Sequence, residues 1–365
     1  MGKRLSDIDY GEIAQVLRDE IRSGAYSASG AFPSLTKIMR RFGVTRMSAV
    51  RSVAELKRMG LVSVRRGAGT FVRAQNRTIG LVLPGTADSE FFAAVMDGLV
   101  ANCAEHGCDL VAGDVFPVDH VLRGIQAQKL AERLVSYKVV GAVMQPVGFS
   151  EDAGRINGII AATLDKAGIP LVLVDYDIVS PPARSRYDLV AIDNFGAGRK
   201  IAGHLLSRGA KRICCLLRRL CADSVRTRFA GVDAAFWHAT GRHADILVAE
   251  PDDAAAIAAG LKTLRPDAVV CSNDIAADIL SKTLGKLRIK VPRDLLLAGF
   301  DDVELAGEIG LTSIRQPCAD LAATAFRTLV ERIKNPSLPP RQILLDTSLV
   351  ARGSTLGVQR DKVRG

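Results

Sequence analysis

The stretch PSLTKIMRRFGVTRMSAVRSVAELKRMGLVSVRRGAGTFV, residues 33–72, carries helix start and stop signals in the order a helix-turn-helix needs. Ser34 is an N-cap ahead of Leu35–Phe42, and Gly43 stops that helix. Thr45 caps a second helix, which Gly60 ends. The intervening turn is short and contains Gly43, as such a turn requires. Val50, Val53, Leu56 and Met59 mark one face of the second helix as the buried one. Residues 61–64 and 70–72 are short β-branched runs around Arg65-Arg66-Gly67-Ala68-Gly69. They predict a two-stranded hairpin with a basic, glycine-rich tip.

Upstream, Ile13, Val16, Leu17 and Ile21 fall at helical spacing over 9–24, with Asp9 as cap and Gly24 as stop. Three helices and a hairpin make residues 1–73 a mainly α winged helix-turn-helix. Residues 74–77 read as a linker. Charge follows the same division. Residues 1–73 hold 14 Lys+Arg against 6 Asp+Glu, and the remainder 35 against 33. A basic head on a nearly neutral body points to a polyanion partner. The plainer alternative is a solvated basic surface.

A helix beginning after Thr45 presents Arg46, Ser48 and Arg51 on its first turns, the end that enters a major groove. Arg46 and Arg51 can reach guanine edges or phosphates, and Ser48 a phosphate. Arg65 and Arg66 flank the wing, while Gly67 and Gly69 let its backbone approach a groove. Lys37, Arg40 and Arg41 on the preceding helix can hold phosphates.

From Thr78 the rhythm changes to short apolar runs alternating with helical stretches. Ten such runs, among them 78–83, 140–145, 170–174, 189–192, 212–217 and 268–271, read as strands apolar on both faces. That is the pattern of parallel sheets covered by helices. Ten strands over 78–353 fit two α/β lobes with a cleft between them better than one sheet. Ligands bind beyond the C-terminal ends of parallel strands. Asp175, Asn194, Arg228, Asn273 and Asp301 fall at strand ends or on loops over such a cleft. Phe91 and Phe92 are candidates for its aromatic walls. For Asn273 and Asp301 the alternative is loop capping. Residues 354–365 read as a basic tail.

The N-terminus has no apolar signal-peptide core, and no run reaches the roughly 18 apolar residues of a membrane span. A cytoplasmic protein without membrane contact is expected. The seven cysteines form no C-x-x-C pair and read as reduced and mostly buried. Cys214 and Cys215 read as core, as does Trp237. The five histidines are scattered, so neither a metal site nor a catalytic group is assigned. Gly196-Ala197-Gly198 looks like a dinucleotide fingerprint, but the third glycine falls at 203, two places late. No cofactor is expected.

Residues 1–73 resemble the GntR family of winged-helix regulators. The resemblance rests on Ile21-Arg22-Ser23-Gly24, Phe32-Pro33-Ser34, Phe42-Gly43-Val44-Thr45-Arg46, Glu55-Leu56, Gly60-Leu61-Val62 and Gly67-Ala68-Gly69-Thr70-Phe71-Val72. Two places depart from it. Leu35 and Thr36 stand where the family has a glutamate and a basic residue, and the usual Thr-Val-Arg of the recognition helix appears as Ser48-Ala49-Val50, with Arg51 displaced by one. Residues 78–353 resemble the effector domains of the LacI/GalR family, which are similar to periplasmic sugar-binding proteins. That match runs through Ala167-Gly168-Ile169-Pro170, Val174-Asp175, Ile192-Asp193-Asn194, Arg228 with Gly231, Ser272-Asn273-Asp274, Gly299-Phe300-Asp301-Asp302 and Thr312-Ser313-Ile314-Arg315-Gln316-Pro317. The combination looks like hybrid regulators of the arabinose-repressor type. It implies that Arg228, Asn273, Asp301 and, less consistently, Asp175 contact the ligand.

The reading is a DNA-binding transcriptional repressor, acting as a homodimer on double-stranded operator DNA. A small effector, a sugar, bound between the lobes would modulate it. A transport-system binding protein would need a signal peptide and no basic head. A DNA-tethered enzyme would need a catalytic constellation in the cleft.

Overall fold

The computed structural model describes residues 9–22, 25–26, 31–65, 69–72, 78–83, 90–114, 120–148 and 150–356. The chain divides into two compact units, Met1–Arg77 and Thr78–Gly365. The expected linker, 74–77, lies outside the described residues.

The first unit has helices α1 (Tyr10–Arg22), α2 (Leu35–Phe42) and α3 (Arg46–Arg58). An antiparallel hairpin follows, β1 (Val62–Arg65) with β2 (Gly69–Val72). The local signals act as expected. Ser34 Oγ accepts from the Lys37 amide at 3.3 Å, and Thr45 Oγ1 from the Ser48 amide at 3.3 Å. Gly43 takes the left-handed conformation at φ +65°. Ile13, Leu17, Ile21, Phe32, Ile38, Leu56 and Val62 close the core.

α3 buries Val53 and Leu56 as expected, but the buried face is rotated so that Val50 and Met59 are left out. Ala49, Ser52, Val53 and Leu56 are buried, whereas Val50 is 44% exposed and Met59 41%. The Ser52 hydroxyl donates toward the carbonyls of Tyr10 at 3.0 Å and Ser48 at 2.8 Å. With Ala49, it forms a small-residue surface on which α1 packs closely. In α1 itself, Ala14 is buried while Val16 faces out.

The second unit runs β3 (Ile79–Leu83), α4 (Glu90–Glu105), β4 (Leu110–Asp114), α5 (His120–Ser136), β5 (Gly141–Met144), α6 (Ala153–Lys166), β6 (Leu171–Val174) and β7 (Asp188–Ile192). The chain then builds α7 (Asn194–Ser207), β8 (Ile213–Leu217), α8 (Asp223–Thr240), β9 (Asp245–Val248), α9 (Ala254–Leu264), β10 (Ala268–Cys271), α10 (Asp274–Lys286) and β11 (Leu296–Ala298). It closes with α11 (Glu304–Glu308), β12 (Ser313–Arg315), α12 (Cys318–Lys334), β13 (Gln342–Leu345), β14 (Ser348–Val350) and α13 (Gly353–Leu356). Two parallel sheets result, ordered β13-β7-β6-β5-β3-β4 and β11-β10-β8-β9. α4 and α12 cover one face of the larger sheet, and α5 and α6 the other. α7 and α8 cover one face of the smaller sheet, and α9 and α10 the other. The chain passes between the sheets three times: after β7, between β12 and α12, and between β13 and β14. β12 and β14, which lie at two of these passages, pair antiparallel.

Three expectations are corrected. Trp237 is 53% exposed, not core, because α8 buries its other face through Val232 and Phe236. The tail begins later than residue 354. Ser354 Oγ donates to the Leu297 carbonyl at 2.7 Å, and Thr355 is fully buried with its hydroxyl 2.6 Å from that of Thr312. Residues 357–365 lie outside the described residues. β12 and β14 were not expected, being three residues each and polar in part. Among the described residues no helix is long and apolar enough to cross a membrane.

Candidate functional site

The second unit gathers polar groups at the C-terminal ends of its strands, where α7 and α8 cross. The crossing depends on two glycines. A Cβ on Gly198 would lie 1.9 Å from the Arg228 carbonyl oxygen, and one on Gly231 2.1 Å from that of Phe195. The near-fingerprint glycine therefore serves helix packing. The close approach lays Arg228, only 4% exposed, against Asn194. Arg228 Nε donates to Asn194 Oδ1 at 2.7 Å and Nη1 to the Ser272 carbonyl at 3.0 Å. Its guanidinium sits 4.7 Å from the centre of the Phe300 ring.

Two carboxylates face this cation. Asp175 directly follows β6 at φ +78°, and Asp301 follows β11 at φ +102°. A side chain held in the left-handed region is strained, and such residues concentrate at functional sites. Asp175 accepts from Gln145 Nε2 at 3.2 Å and Asp301 from Gln316 Nε2 at 2.6 Å. Burial pushes the Asp175 carboxyl up to about 6, against the pull of Arg228 and with the repulsion of Asp301. Burial also raises Asp301, which Arg228 and Gln316 oppose. Gln316 Oε1 is a buried acceptor without a hydrogen-bond partner among the described residues, and the Ser224 hydroxyl joins Gln145 in lowering the Asp175 carboxyl. A buried acceptor left in that state costs roughly 1–3 kcal/mol.

Around this cluster the backbone is locked. Asp274 is 1% exposed and accepts from Ser313 Oγ at 2.6 Å and the Val303 amide at 3.1 Å. Burial, then Asp301, pushes its carboxyl up to about 7. Asp302 receives Arg315 from β12 and Arg352 from beyond β14, each at 2.6 Å. The loop bearing Asp301 is thus fixed to the antiparallel pair at the lobe crossings.

Asp175, Arg228 and Asp301 come together as the sequence suggests. Asn273 behaves as a cap: its Oδ1 accepts from the Ala276 amide at 2.8 Å, which uses the oxygen only. Phe91 is a correction. It is 5% exposed in the core, because α4 buries the stripe Phe91, Val95, Leu99 and Cys103. Phe92 packs edge-on against it at 5.3 Å, on the same core. Phe300 is the ring that meets the cluster. Sequence reasoning also missed Gln145 and Gln316. Gln145 was marked by its place directly after the apolar strand Gly141–Met144, and Gln316 by its place in the matching run Thr312–Pro317. A cavity of about 370 Å³ adjoins the cluster, lined among others by Asp175, Tyr176, Asn194, Phe195, Ser224 and Thr227. Its volume suits a small ligand. Of the sequence candidates over the cleft, Asp175 and Asn194 line it, and Arg228, Asn273 and Asp301 do not.

In the first unit, Lys37, Arg46 and Arg51 are exposed. Arg51 lies over the Tyr10 ring at 5.8 Å. Ser48 supports the α3 cap, its hydroxyl 3.1 Å from that of Thr45. Gly69 sits at φ +109° beside the wing, a conformation that favours glycine. The Arg65 side chain, Arg66 and Gly67 lie outside the described residues. Arg41 is drawn away from any phosphate role: both its terminal nitrogens bond Glu20 of α1, one at 2.9 Å.

Residues 9–72 match the family described as bacterial regulatory proteins, gntR family, and residues 202–355 match the periplasmic binding protein-like domain. The PurR transcriptional repressor of Vibrio campbellii is 30% identical over 288 residues, which are 76% of this chain and 81% of that protein. This chain belongs to the LacI-type transcription regulators, with a GntR-type winged helix as its head. The arabinose metabolism transcriptional repressor of Halalkalibacterium halodurans is 24% identical over 97% of this regulator and 98% of its own length. Among solved structures, the regulator CelR in complex with cellobiose aligns with TM-score 0.64 at 21% identity, over 97% of this regulator and 100% of that chain. A LacI family regulator of Enterococcus faecium with bound ribose aligns at TM-score 0.61 and 24% identity, over 77% and 99%. The regulator therefore joins DNA binding in its first unit to an effector fold in its second.

One consequence of the site's electrostatics can be measured without a ligand. The folded carboxyl of Asp175 sits at about 6, above its ordinary 3.8. A raised folded value means that stability is fully present below about pH 4 and is lost as pH rises through about 6. Asp175→Asn, neutral at every pH, is expected to raise the melting temperature of the regulator by a gain that grows from pH 4 to 6 and is flat above. A melting series at pH 4.5, 6 and 7.5 checks this; a gain that does not depend on pH contradicts the buried charge.

Proposed function

We propose that this regulator is a cytoplasmic repressor whose grip on double-stranded operator DNA is released by a small sugar bound at the Arg228 cluster. The observation that carries the reading is a buried arginine facing two buried carboxylates, Asp175 and Asp301, with the unpartnered Gln316 oxygen beside them. A polyhydroxylated ligand supplies donors to these acceptors and accepts from the guanidinium. Cellobiose and ribose in the two aligned regulators support the same ligand class. Ligand contacts are assigned to Asp175, Arg228 and Asp301, to the amide nitrogen of Asn273, and to Phe195 in place of the buried Phe91. On DNA, Arg46 and Arg51 take base edges or phosphates, Lys37 and Ser48 take phosphates, and the wing around Gly69 takes the adjoining groove. A homodimer gives one winged helix to each half of a pseudo-palindrome. The domain limits are then 1–73 for the head and 78–356 for the effector body.

Thermal melting against neutral monosaccharides, disaccharides and sugar phosphates tests the ligand class. A ligand at 100 times its dissociation constant stabilises by about 2.7 kcal/mol, roughly 5–10 °C for a domain of this size. The same sugar should weaken operator binding. If no sugar moves the melting point, the sugar reading is wrong and the DNA-binding reading stands separately.

A further inference from the structure

We propose that Met47 and Val50 on α3 read the C5-methyl groups of thymines, so that the operator half-site carries A·T pairs where those side chains meet the major groove. The proposal rests on the DNA-binding reading of the first unit. α3 packs on α1 through Ala49, Ser52, Val53 and Leu56, which turns Met47, Val50, Arg51 and Ala54 outward. Met47 is 66% exposed and Val50 44%. They are three residues apart, hence neighbours on one helical face. Two large apolar side chains on the outward face of a helix otherwise bordered by arginines need a partner that is apolar within a polyanion. The thymine methyl is the apolar group that the major groove offers.

Charge fits the same occupant. The first two turns of α3 hold Arg46 and Arg51 and no acid. The helix's single acid, Glu55, lies a turn further on and is bound by Arg58 at 2.6 and 2.9 Å. The face that carries Met47 and Val50 therefore meets phosphates without repulsion, and its own polar reach is confined to the arginines. Arginine reads guanine, so the stripe divides the half-site into positions read by hydrogen bonds and positions read by methyl contact.

The test uses the full-length protein and a duplex that it recovers from a random DNA pool. Each thymine of one half-site is replaced in turn by uracil, which keeps base pairing and removes one methyl group. Affinity is read by fluorescence anisotropy at fixed salt. The wild type should lose about fourfold in affinity at one or two of these positions, the factor for one methyl contact. Met47→Ala or Val50→Ala should weaken the thymine duplex by a similar factor and no longer distinguish uracil at its own position. The salt slope should stay unchanged, because phosphate contacts are untouched. If no uracil position costs more than about 1.5-fold, or if both variants keep the wild-type sensitivity, the methyl assignment is wrong while DNA binding stands. If the pool yields no bound duplex, the DNA-binding reading fails and the assignment fails with it.

Discussion

Arg228→Ala is expected to abolish the ligand response and to lower the stability of the effector body by about 3–5 kcal/mol at pH 7.5, the range for removing one partner of a buried charged pair. The guanidinium fills three roles at once. It donates to Asn194 and to the Ser272 carbonyl, it covers the Phe300 ring, and it is the cation that opposes Asp175 and Asp301. Truncation leaves two buried carboxylates without a counter-charge. They answer by taking protons, so the deficit should shrink as pH falls from 7.5 to 5. A purely steric defect shows no such dependence. Arg228→Lys separates charge from geometry: it restores a cation but not the fork that spans Asn194 and Ser272. It should recover stability better than ligand response. Melting curves of both variants, with and without the sugar that shifts the wild type, decide the matter. A variant Arg228→Ala that melts like the wild type and still responds to ligand overturns the cluster.

How far the sequence could be read follows from which forces are local. The caps Ser34 and Thr45 and the stop Gly43 act through bonds three or four residues long, so they were legible. The parallel strands were legible because burial on both faces leaves continuous apolar runs. What was not legible depends on how elements meet. α3 buries Ala49 and Ser52 and exposes Val50, because close packing on α1 outweighs the area of one valine. Phe91 and Trp237 changed places for the same kind of reason. A large apolar side chain says that burial is favourable but not which helix face obtains it. Arg228 was legible as a candidate, yet its environment was not: Phe300 meets its guanidinium, while Gln316 and Gln145 bond the facing carboxylates Asp301 and Asp175, all from separate segments. Among the described residues, Ser313–Arg315 and Ser348–Val350 pair with each other and with the loop at Asp301, so no run of their own announces them.

Asp188→Asn is expected to cost the effector body about 3–5 kcal/mol and to loosen one edge of its larger sheet first. The Asp188 side chain is fully buried at the start of β7. Arg332 of α12 grips it with Nε at 2.9 Å and Nη2 at 3.0 Å, and the Arg341 amide donates at 2.8 Å. Arg332 also donates to the carbonyls of Pro336 and Pro339, at 3.2 and 3.0 Å. One carboxylate thus fastens α12, the segment after it and the start of β13 to β7. Burial alone would raise its pKa, but the bonds from Arg332 and Arg341 outweigh that and hold it below the ordinary value. A depressed folded value gives stability that is present above about pH 4 and lost as pH falls through it. The asparagine variant should therefore be weakest relative to wild type at neutral pH and approach it in acid, following a group that titrates oppositely to Asp175. Hydrogen exchange locates the damage. β13 pairs with β7 from Gln342 to Leu345, and its amides should lose protection before those of β8 and β10 in the other lobe. β13 runs within three residues into β14 and the lobe crossing, so a loosened edge should also blunt the melting shift produced by ligand. A melting point within about 1 °C of wild type, with β13 exchange unchanged, would show that the Arg332 carbonyl bonds hold the edge without the carboxylate.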